Sequence, residues 1–342
     1  MIYPEPLFKG DTIGIVATSS GVTGVFQKKL DNAIRQVESL GYKCLETPSV
    51  RSNIKLTSTS RKQRAEEFLN LYKNDEVKAI IPPWGGQFLM DILPYLNFEE
   101  LGNVKPKWIL GFSDTSTLLL PLTLKTNTAT AHGPNFMDFG NTPIEASVLQ
   151  ALQGLATKSG THFHQTNMEF YQKEWLKVTD TSFPPYNLTE KVDWKSLSKE
   201  ENESLFTGRL LGGCLDTICK LVGTPFAPVT EFIEQYKEDG FIWYFESCDM
   251  NATDLYRTLW QMRMNGWFEY CNGFLFGRLE GYEDVGGFTL IDAFKKPLDD
   301  LAVPILYDVD LGHIPPQLTF INGSFAEVSY KKGGGQIIQT FK

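Results

Sequence analysis

The chain has 342 residues, of which 42% are hydrophobic and 21% charged, and its formal net charge is −9. This composition excludes a disordered, collagen-like or low-complexity protein, and the length predicts two domains or one large α/β domain. The 41 acidic residues outnumber the 32 basic ones, which argues against a nucleic-acid partner, and no apolar run approaches the ~20 residues that cross a bilayer, which argues against a membrane partner.

Strand-like and helix-like patterns alternate along the first 155 residues. Apolar runs typical of buried strands occur at 11–17, 77–81 and 107–111, and apolar residues recur at helical spacing over 26–40. This alternation is typical of a parallel sheet flanked by helices. We therefore predict an N-terminal α/β domain over residues 1–155.

The periodic pattern is lost over residues 156–206, where a Pro pair and a charged stretch stand among scattered aromatic residues. An irregular segment of this length inside a compact domain is uncommon and usually has a functional or linking role. We interpret residues 156–206 as a connecting insertion, whose aromatic residues either anchor it on the body of the protein or contact substrate. The histidines of the His-x-His motif at His162 and His164 have no third ligand at a suitable spacing, so we predict a surface strand there and no metal site.

Regular patterns resume at residue 207. Buried strands are predicted at 241–245, 273–277 and 303–307, and the tail from 326 to 341 reads as a β-hairpin around a Gly-rich turn. We therefore predict a smaller, β-rich C-terminal domain over residues 207–342. With the N-terminal domain this gives an α/β fold of two domains.

The first residues and the cysteines predict a cytoplasmic protein. Pro, Glu and Asp occur among the first eleven residues, where a signal peptide would need an apolar segment. The cysteines are odd in number and show no CxxC pairing, which is typical of a reducing compartment. They are Cys44, Cys214, Cys219, Cys248 and Cys271.

A serine follows the predicted strand at 107–111, and a helix begins directly after it. Such a turn exposes the hydroxyl of Ser113 and directs the next backbone N–H groups toward one point, as a nucleophile with oxyanion donors requires. Reactive groups in α/β sheets collect at such strand ends. The alternative is that Ser113 or Asp114 only caps the helix.

Three further strand ends carry candidate groups. Glu246 is the first charged residue after an apolar strand, where it would orient a histidine, and His313 stands between a glycine and two prolines on a rigid loop. Gly86, after the strand at 77–81, would bring a backbone N–H close to a substrate. Each also has a structural interpretation: a strand-end ion pair, a hydrogen-bonded histidine and an ordinary turn. His132 is an alternative histidine, although its Gly-Pro neighbours favour a structural role.

Several motifs, in this order, resemble the LD-carboxypeptidase family of serine peptidases. They span nearly the whole chain and are Gly10–Ala17, Trp84-Gly85-Gly86, Gly111-Phe112-Ser113-Asp114, His132-Gly133-Pro134, Gly208–Gly213, Gly223-Thr224-Pro225, Phe245-Glu246 and Gly312-His313. The resemblance implies a Ser-Glu-His triad of Ser113, Glu246 and His313, with oxyanion donors on the backbone of Gly86 and Asp114. It also implies an active site between the two domains, and a homodimer that needs no metal or organic cofactor.

Two branches of that family differ in substrate. The murein branch removes the terminal D-alanine of muropeptide tetrapeptides in cell-wall recycling, whereas the microcin-C immunity branch cleaves an aminoacyl group from a nucleotide-like phosphoramidate. The chain length and the aromatic-rich insertion resemble the second branch, so we predict an amide hydrolase acting on aminoacyl-nucleotides, with the murein peptidase as the alternative. In that branch an aromatic of the insertion stacks on adenine. The candidates are Trp175, Phe183, Tyr186 and Trp194, and the other predicted substrate-binding residues are Trp84, Gly85 and Glu280, the last placed to bind an amino group.

Two rival functions remain at this point. An α/β-hydrolase esterase shares the chain order of serine, acid and histidine, but its elbow is GxSxG and Thr115 stands here at the second glycine position. A non-catalytic ligand-binding module would have no reason to bring Ser113, Glu246 and His313 within hydrogen-bonding distance. The distances between these side chains therefore discriminate between the two classes.

Overall fold

Two main sheets with packed helices make up the computed structural model, which describes residues 1–198 and 202–342. The helices are α1 (Phe26–Ser39), α2 (Arg61–Lys73), α3 (Phe98–Asn103), α4 (Ser116–Thr126), α5 (Ala146–Leu155), α6 (Leu215–Ile218), α7 (Val229–Tyr236), α8 (Ala252–Met264) and α9 (Leu290–Leu298). Of these described helices, none is long and apolar enough to span a membrane.

The first sheet is mainly parallel. Its strands are β1 (Thr12–Ile15), β2 (Lys43–Glu46), β3 (Val77–Ile80), β4 (Trp108–Gly111), β5 (Thr130–His132) and β14 (Phe320–Asn322). They lie in the order β14-β5-β4-β3-β1-β2, with only β14 antiparallel to its neighbour among the described strands. The predicted parallel sheet flanked by helices is confirmed.

The second sheet is mixed. Its strands are β6 (His162–Thr166), β9 (Lys195–Ser196), β10 (Glu203–Cys214), β11 (Phe241–Glu246), β12 (Cys271–Gly277), β13 (Ile305–Val309), β15 (Phe325–Lys331) and β16 (Gly334–Thr340). The order is β6-β16-β15-β10-β11-β12-β13-β9, and β10 to β13 run parallel. The predicted tail hairpin is β15 with β16. A separate pair is formed by β7 (Phe170–Gln172) and β8 (Leu188–Lys191).

Helix α4 packs between the two sheets. Its sequence is apolar on nearly every side, and all of its residues except Lys125 are buried. An α-helix that is apolar all round must be covered on all faces, and one core cluster accordingly joins α4 to Ile109 of the first sheet and to Leu211 and Trp243 of the second. The two sheets therefore share a core next to the strand ends.

The insertion at 156–206 is more ordered than the sequence analysis expected. Strand β6 pairs with β16, and β9 pairs with β13, so this segment extends the second sheet at both edges. Strand β6 exposes His162 and His164 in alternation with buried residues, so the surface strand predicted at this motif is confirmed. The domain boundaries at 155 and 206 stay a prediction.

Candidate active site

The strand ends that the sequence analysis singled out meet where the two sheets face each other. Ser113 follows β4 in the first sheet, while Glu246 ends β11 in the second. His313 lies on the loop that leaves β13 of the second sheet and enters β14 of the first. A site assembled from both sheets therefore brings together residues that lie up to 200 positions apart in the sequence.

Hydrogen bonds connect the three predicted catalytic side chains. The Nε2 atom of His313 lies 3.1 Å from Ser113 Oγ, and its Nδ1 atom lies 2.6 Å from Glu246 Oε2. Glu246 is fully buried, whereas the His313 side chain is 17% exposed. A serine, an imidazole and a buried carboxylate in this order have the geometry of a serine-hydrolase triad. A ligand-binding module has no need of this arrangement.

The backbone at Ser113 adopts the left-handed conformation, with φ 63°. A non-glycine residue seldom adopts this conformation, and nucleophile elbows are among the sites where it occurs. The side chain of Asn135 supports the turn, because its Oδ1 accepts the N–H of Phe112 at 3.2 Å. The Oγ atom of Ser113 is hydrogen-bonded to His313, so Ser113 is not simply a helix cap.

Gly85 passes close enough to the serine to exclude any side chain. A Cβ atom at Gly85 would lie 2.9 Å from Ser113 Oγ and 2.8 Å from the backbone nitrogen of Asp114. Gly86 has φ 151° and faces the 19–20 turn, where an added Cβ would overlap the Ser20 hydroxyl at 2.5 Å. The sequence analysis proposed that Gly86 brings a backbone N–H close to a substrate, and this stays a prediction.

The two N–H groups predicted as oxyanion donors belong to Gly86 and Asp114, which directly follow Gly85 and Ser113 in the sequence. Within residues 1–198 and 202–342, neither the N–H of Gly86 nor that of Asp114 donates a hydrogen bond to the protein. The Asp114 carboxylate fixes the local backbone by accepting from Ser19 Oγ at 2.6 Å and from the N–H of Leu89 at 2.9 Å. Burial raises the pKa of Asp114 despite these bonds.

Electrostatics couple His313 to Glu246. Burial alone would lower the pKa of His313, but the charge of Glu246, the interaction with Cys248 and the hydrogen bond that His313 donates to Glu246 raise it well above its usual value. Burial alone would raise the pKa of Glu246, but the charge and hydrogen bond of His313 hold it below its usual value. Each partner therefore favours the charged form of the other.

Two neighbours hold the histidine loop in place. Gly312 has φ 93°, and a Cβ there would lie 2.5 Å from Glu246 Cβ. The buried guanidinium of Arg278 donates to Asp310 Oδ1 at 2.8 Å and to the carbonyls of Ile314 and Pro316 at 3.3 and 3.2 Å. The sequence analysis did not assign this role to Arg278, although its position directly after β12 marks it as a strand-end residue.

Cys214 and Cys248 also lie at the site. Cys214 ends β10, and Cys248 follows Glu246 by two residues. The thiol of Cys214 donates to Asp216 Oδ2 at 3.4 Å, each thiol shifts the pKa of the other, and His313 lowers the pKa of Cys248. The sequence analysis used these cysteines only to infer a reducing compartment, so it missed that both belong to strand ends of the site.

The predicted substrate-binding residues fall into two groups. Trp175 is 62% exposed, and its Nε1 donates to Glu280 Oε1 at 3.4 Å. Tyr186 donates its hydroxyl to Asp138 Oδ1 at 3.1 Å. A cavity of about 150 Å³ that is lined by Trp84, Phe112 and Asp138 lies next to the serine turn. The structure thus pairs Trp175 with Glu280 and places Tyr186 near the Trp84 cavity.

Two other candidate residues are buried. Trp194 is fully buried and donates its Nε1 to Asp310 at 3.0 Å, so it anchors the insertion in the second sheet. His132 is also fully buried, and burial lowers its pKa to about 4. Its ring packs edge-on against Tyr244 at 5.4 Å, and its Nδ1 lies 3.4 Å from Ser116 Oγ. A neutral, packed histidine fits the structural role that the sequence favoured.

Side chains of the types that bind metal ions cluster in two places near Ser113. Cys214, Glu246 and His313 place their donor atoms within 4.8 Å of one another, as do Asp216, Cys248 and Asp249. The first group includes Glu246 and His313, which are hydrogen-bonded to each other beside Ser113. His162 and His164 lie on exposed positions of β6, where the His162 Nδ1 is 2.9 Å from Thr340 Oγ1.

Comparisons with known proteins agree with this geometry. Sequence models of the LD-carboxypeptidase N-terminal and C-terminal domains match residues 13–133 and 207–328. The chain is 24% identical to the microcin C7 self-immunity protein MccF of Escherichia coli, over 93% of this chain and 90% of that protein.

Solved structures are similar over the whole chain. MccF in complex with aspartyl sulfamoyl adenosine superposes with a TM-score of 0.85 and 23% identity, covering 100% of this chain and 99% of that one. Muramoyltetrapeptide carboxypeptidase from Oxalobacter formigenes superposes with a TM-score of 0.75 and 19% identity, covering 96% and 98%. The two superpositions show a shared fold.

Proposed function

The chain belongs to the LD-carboxypeptidase family of serine peptidases, and we propose that Ser113, His313 and Glu246 are its catalytic triad. One observation carries this assignment: the unbroken series of hydrogen bonds from Ser113 Oγ through His313 to Glu246, at 3.1 and 2.6 Å. The family and the named relatives establish a carboxypeptidase-type hydrolase, so the proposal adds which groups act and on what substrate.

The reaction follows from the positions of these atoms. His313 Nε2 accepts the proton of Ser113 Oγ while that oxygen attacks the carbonyl carbon of the scissile amide. Glu246 holds the imidazole through Nδ1 and stabilises its charged form. His313 then donates the proton to the leaving nitrogen, and water hydrolyses the acyl-enzyme by the same route in reverse.

Backbone N–H groups stabilise the intermediate. The negative charge on the carbonyl oxygen would be bound by the N–H groups of Gly86 and Asp114, which have no other acceptor among the described residues. One such donor is typically worth about 3 kcal/mol of transition-state stabilisation. The bonds that the Asp114 carboxylate makes to Ser19 and Leu89 keep its N–H in position before substrate arrives.

The substrate we propose is an aminoacyl group joined to a nucleotide-like leaving group. MccF, which this chain resembles in sequence and fold, has been solved with aminoacyl-sulfamoyl nucleosides. In this chain, Trp175 offers an exposed indole for stacking, and Glu280 beside it offers a carboxylate for an amino group. The family member from Oxalobacter formigenes supports a second candidate, the release of a terminal residue from a muramoyl tetrapeptide.

The test compares both substrates and removes the nucleophile. We expect kcat/KM for an aminoacyl-sulfamoyl adenosine to exceed that for a muropeptide tetrapeptide by at least about ten-fold, and Ser113→Ala to lower turnover by about three orders of magnitude or more. Ser39→Ala, at an exposed serine of α1, is the control and should keep wild-type turnover.

The two parts of this proposal fail separately. If Ser113→Ala retains more than about a tenth of the wild-type turnover while Ser39→Ala is unchanged, the nucleophile assignment is wrong. If instead the tetrapeptide is the better substrate and Ser113→Ala abolishes its cleavage, the triad stands and the aminoacyl-nucleotide assignment is replaced by the murein one.

A further inference from the structure

The mechanism leaves unused two cysteines that lie beside the catalytic serine. Cys214 ends β10 and Cys248 follows β11, and these strands run parallel with Cys214 in register with Glu246. Both thiols line the cavity that contains Ser113, and each shifts the pKa of the other. Because the two thiols stand at neighbouring strand ends and line one cavity, rotation of their side chains can bring the sulfurs to disulfide distance.

The two thiols differ in access. Cys214 is 1% exposed, whereas Cys248 is only half-buried. Both line a cavity of about 150 Å³ that also contains Ser113 and Gly86, and this cavity is open toward solvent along Asp216 and Asp249. A small solute that enters the active-site cavity therefore reaches the sulfur of Cys248 first.

The two thiols also differ in charge. The interaction with Cys214 and, against the effect of burial, the interaction with His313 and its charge lower the pKa of Cys248 to about 7. Burial raises the pKa of Cys214 well above its usual value, and the Cys248, Glu246 and Asp216 groups raise it further. Cys248 is thus the reactive thiolate, and Cys214 is the thiol that retains its proton.

We propose that Cys248 and Cys214 form a reversible thiol-oxidation site, in which a peroxide oxidises Cys248 and Cys214 then closes a disulfide. The Cys248 thiolate attacks one oxygen of hydrogen peroxide, forming the sulfur–oxygen bond of a sulfenic acid and releasing hydroxide. The sulfur of Cys214 next attacks the sulfenic sulfur and expels its oxygen, which leaves as water with the thiol proton. Two thiols and one peroxide thus give one disulfide and two waters.

The disulfide would switch the enzyme off. Forming it consumes the thiolate that interacts with His313, and it holds a rigid sulfur bridge on the wall of the cavity that contains Ser113. The loss of turnover rests on the proposed function, whereas the cross-link itself does not depend on any substrate. A thiol reductant reverses the bond by disulfide exchange.

The experiment treats the purified full-length chain with hydrogen peroxide, with and without later reduction, and maps cysteine peptides by mass spectrometry. We expect a Cys214–Cys248 cross-link in the wild type, together with loss of at least four-fifths of its own untreated turnover, both restored by dithiothreitol. In Cys214→Ser we expect a sulfenic acid at Cys248 that dimedone traps. In Cys248→Ser the rate of peroxide inactivation should fall at least ten-fold.

Cys44→Ser is the matched control, since Cys44 is also half-buried but lies on β2, and it should behave as the wild type. Each variant is compared with its own untreated rate, so a change in basal turnover does not affect the result. The inference is overturned if wild-type mapping finds Cys214 and Cys248 still reduced after inactivation, or if Cys248→Ser is inactivated as fast as the wild type. If the wild type has no hydrolase activity, the peptide map alone still decides.

Discussion

A single methyl group at Gly85 should disable the enzyme without unfolding it. In Gly85→Ala the new Cβ would lie 2.9 Å from both Cβ and Oγ of Ser113 and 2.8 Å from the backbone nitrogen of Asp114. Ordinary contacts begin near 3.4 Å, so the serine turn must retreat by several tenths of an ångström. The atoms that move are the nucleophile and one oxyanion donor.

The size of the effect follows from what is displaced. Loss of one oxyanion donor costs about 10²–10³ in kcat, or about 3–4 kcal/mol, and a displacement of about 1 Å of a reacting group costs about 10². We therefore expect Gly85→Ala to lower kcat by at least about 100-fold. Gly102→Ala is the control, because its Cβ would meet only Thr126 at 3.6 Å.

The assay is steady-state hydrolysis of an aminoacyl-sulfamoyl adenosine, with the folded fraction of each variant measured by thermal melting. Gly102 lies within α3, where alanine is favoured over glycine by about 0.5–1 kcal/mol, so Gly102→Ala should keep both its turnover and its melting temperature. If Gly85→Ala stays within three-fold of the wild-type kcat while folded, the close approach of Gly85 to the nucleophile has no catalytic consequence and the reasoning fails.

Two further predictions concern the histidine and the insertion. His313 must be neutral to accept a proton, and Glu246 and Cys248 raise its pKa against the effect of burial. The increase of kcat/KM with pH should therefore have its midpoint above 6.5, the usual pKa of a histidine. Cys248→Ser should move this midpoint to lower pH, and an unchanged midpoint would contradict the coupling. Trp175→Ala should raise KM for an aminoacyl-sulfamoyl adenosine about ten-fold and leave muropeptide cleavage unaffected, with the exposed Trp260→Ala as the control. Equal changes for both substrates would instead assign Trp175 to anchoring the loop.

The strand ends could be predicted from the sequence because their signals are local. A continuous apolar run identifies a buried strand, and the first polar residue after it marks the edge where parallel strands end. That rule selected Ser113 after β4 and Glu246 at the end of β11. His313 required one more step, since it stands four residues beyond its strand.

Apart from the surface strand at His162 and His164, the insertion could not be predicted in the same way, because its order depends on distant partners. Strand β6 is stabilised by pairing with β16, which lies about 170 residues later in the chain. The same limit applies to the aromatics: nothing local distinguishes fully buried Trp194 from Trp175, whose side chain is 62% exposed. The contact between Cys214 and Cys248 likewise depends on which strands become neighbours in the second sheet.

The architecture explains how the proposed catalytic groups, which come from two sheets, keep their hydrogen-bonding geometry. Helix α4, which begins directly after the serine turn, shares one core with both sheets, so the nucleophile cannot shift relative to β11 without disturbing buried packing. The loop that carries His313 is tied at one end to β13 and at the other to β14. Arg278 clamps that loop through Asp310 and two carbonyls. The histidine is therefore held by the sheet that supplies its carboxylate and by the sheet that supplies its serine, which is what a preorganised triad requires.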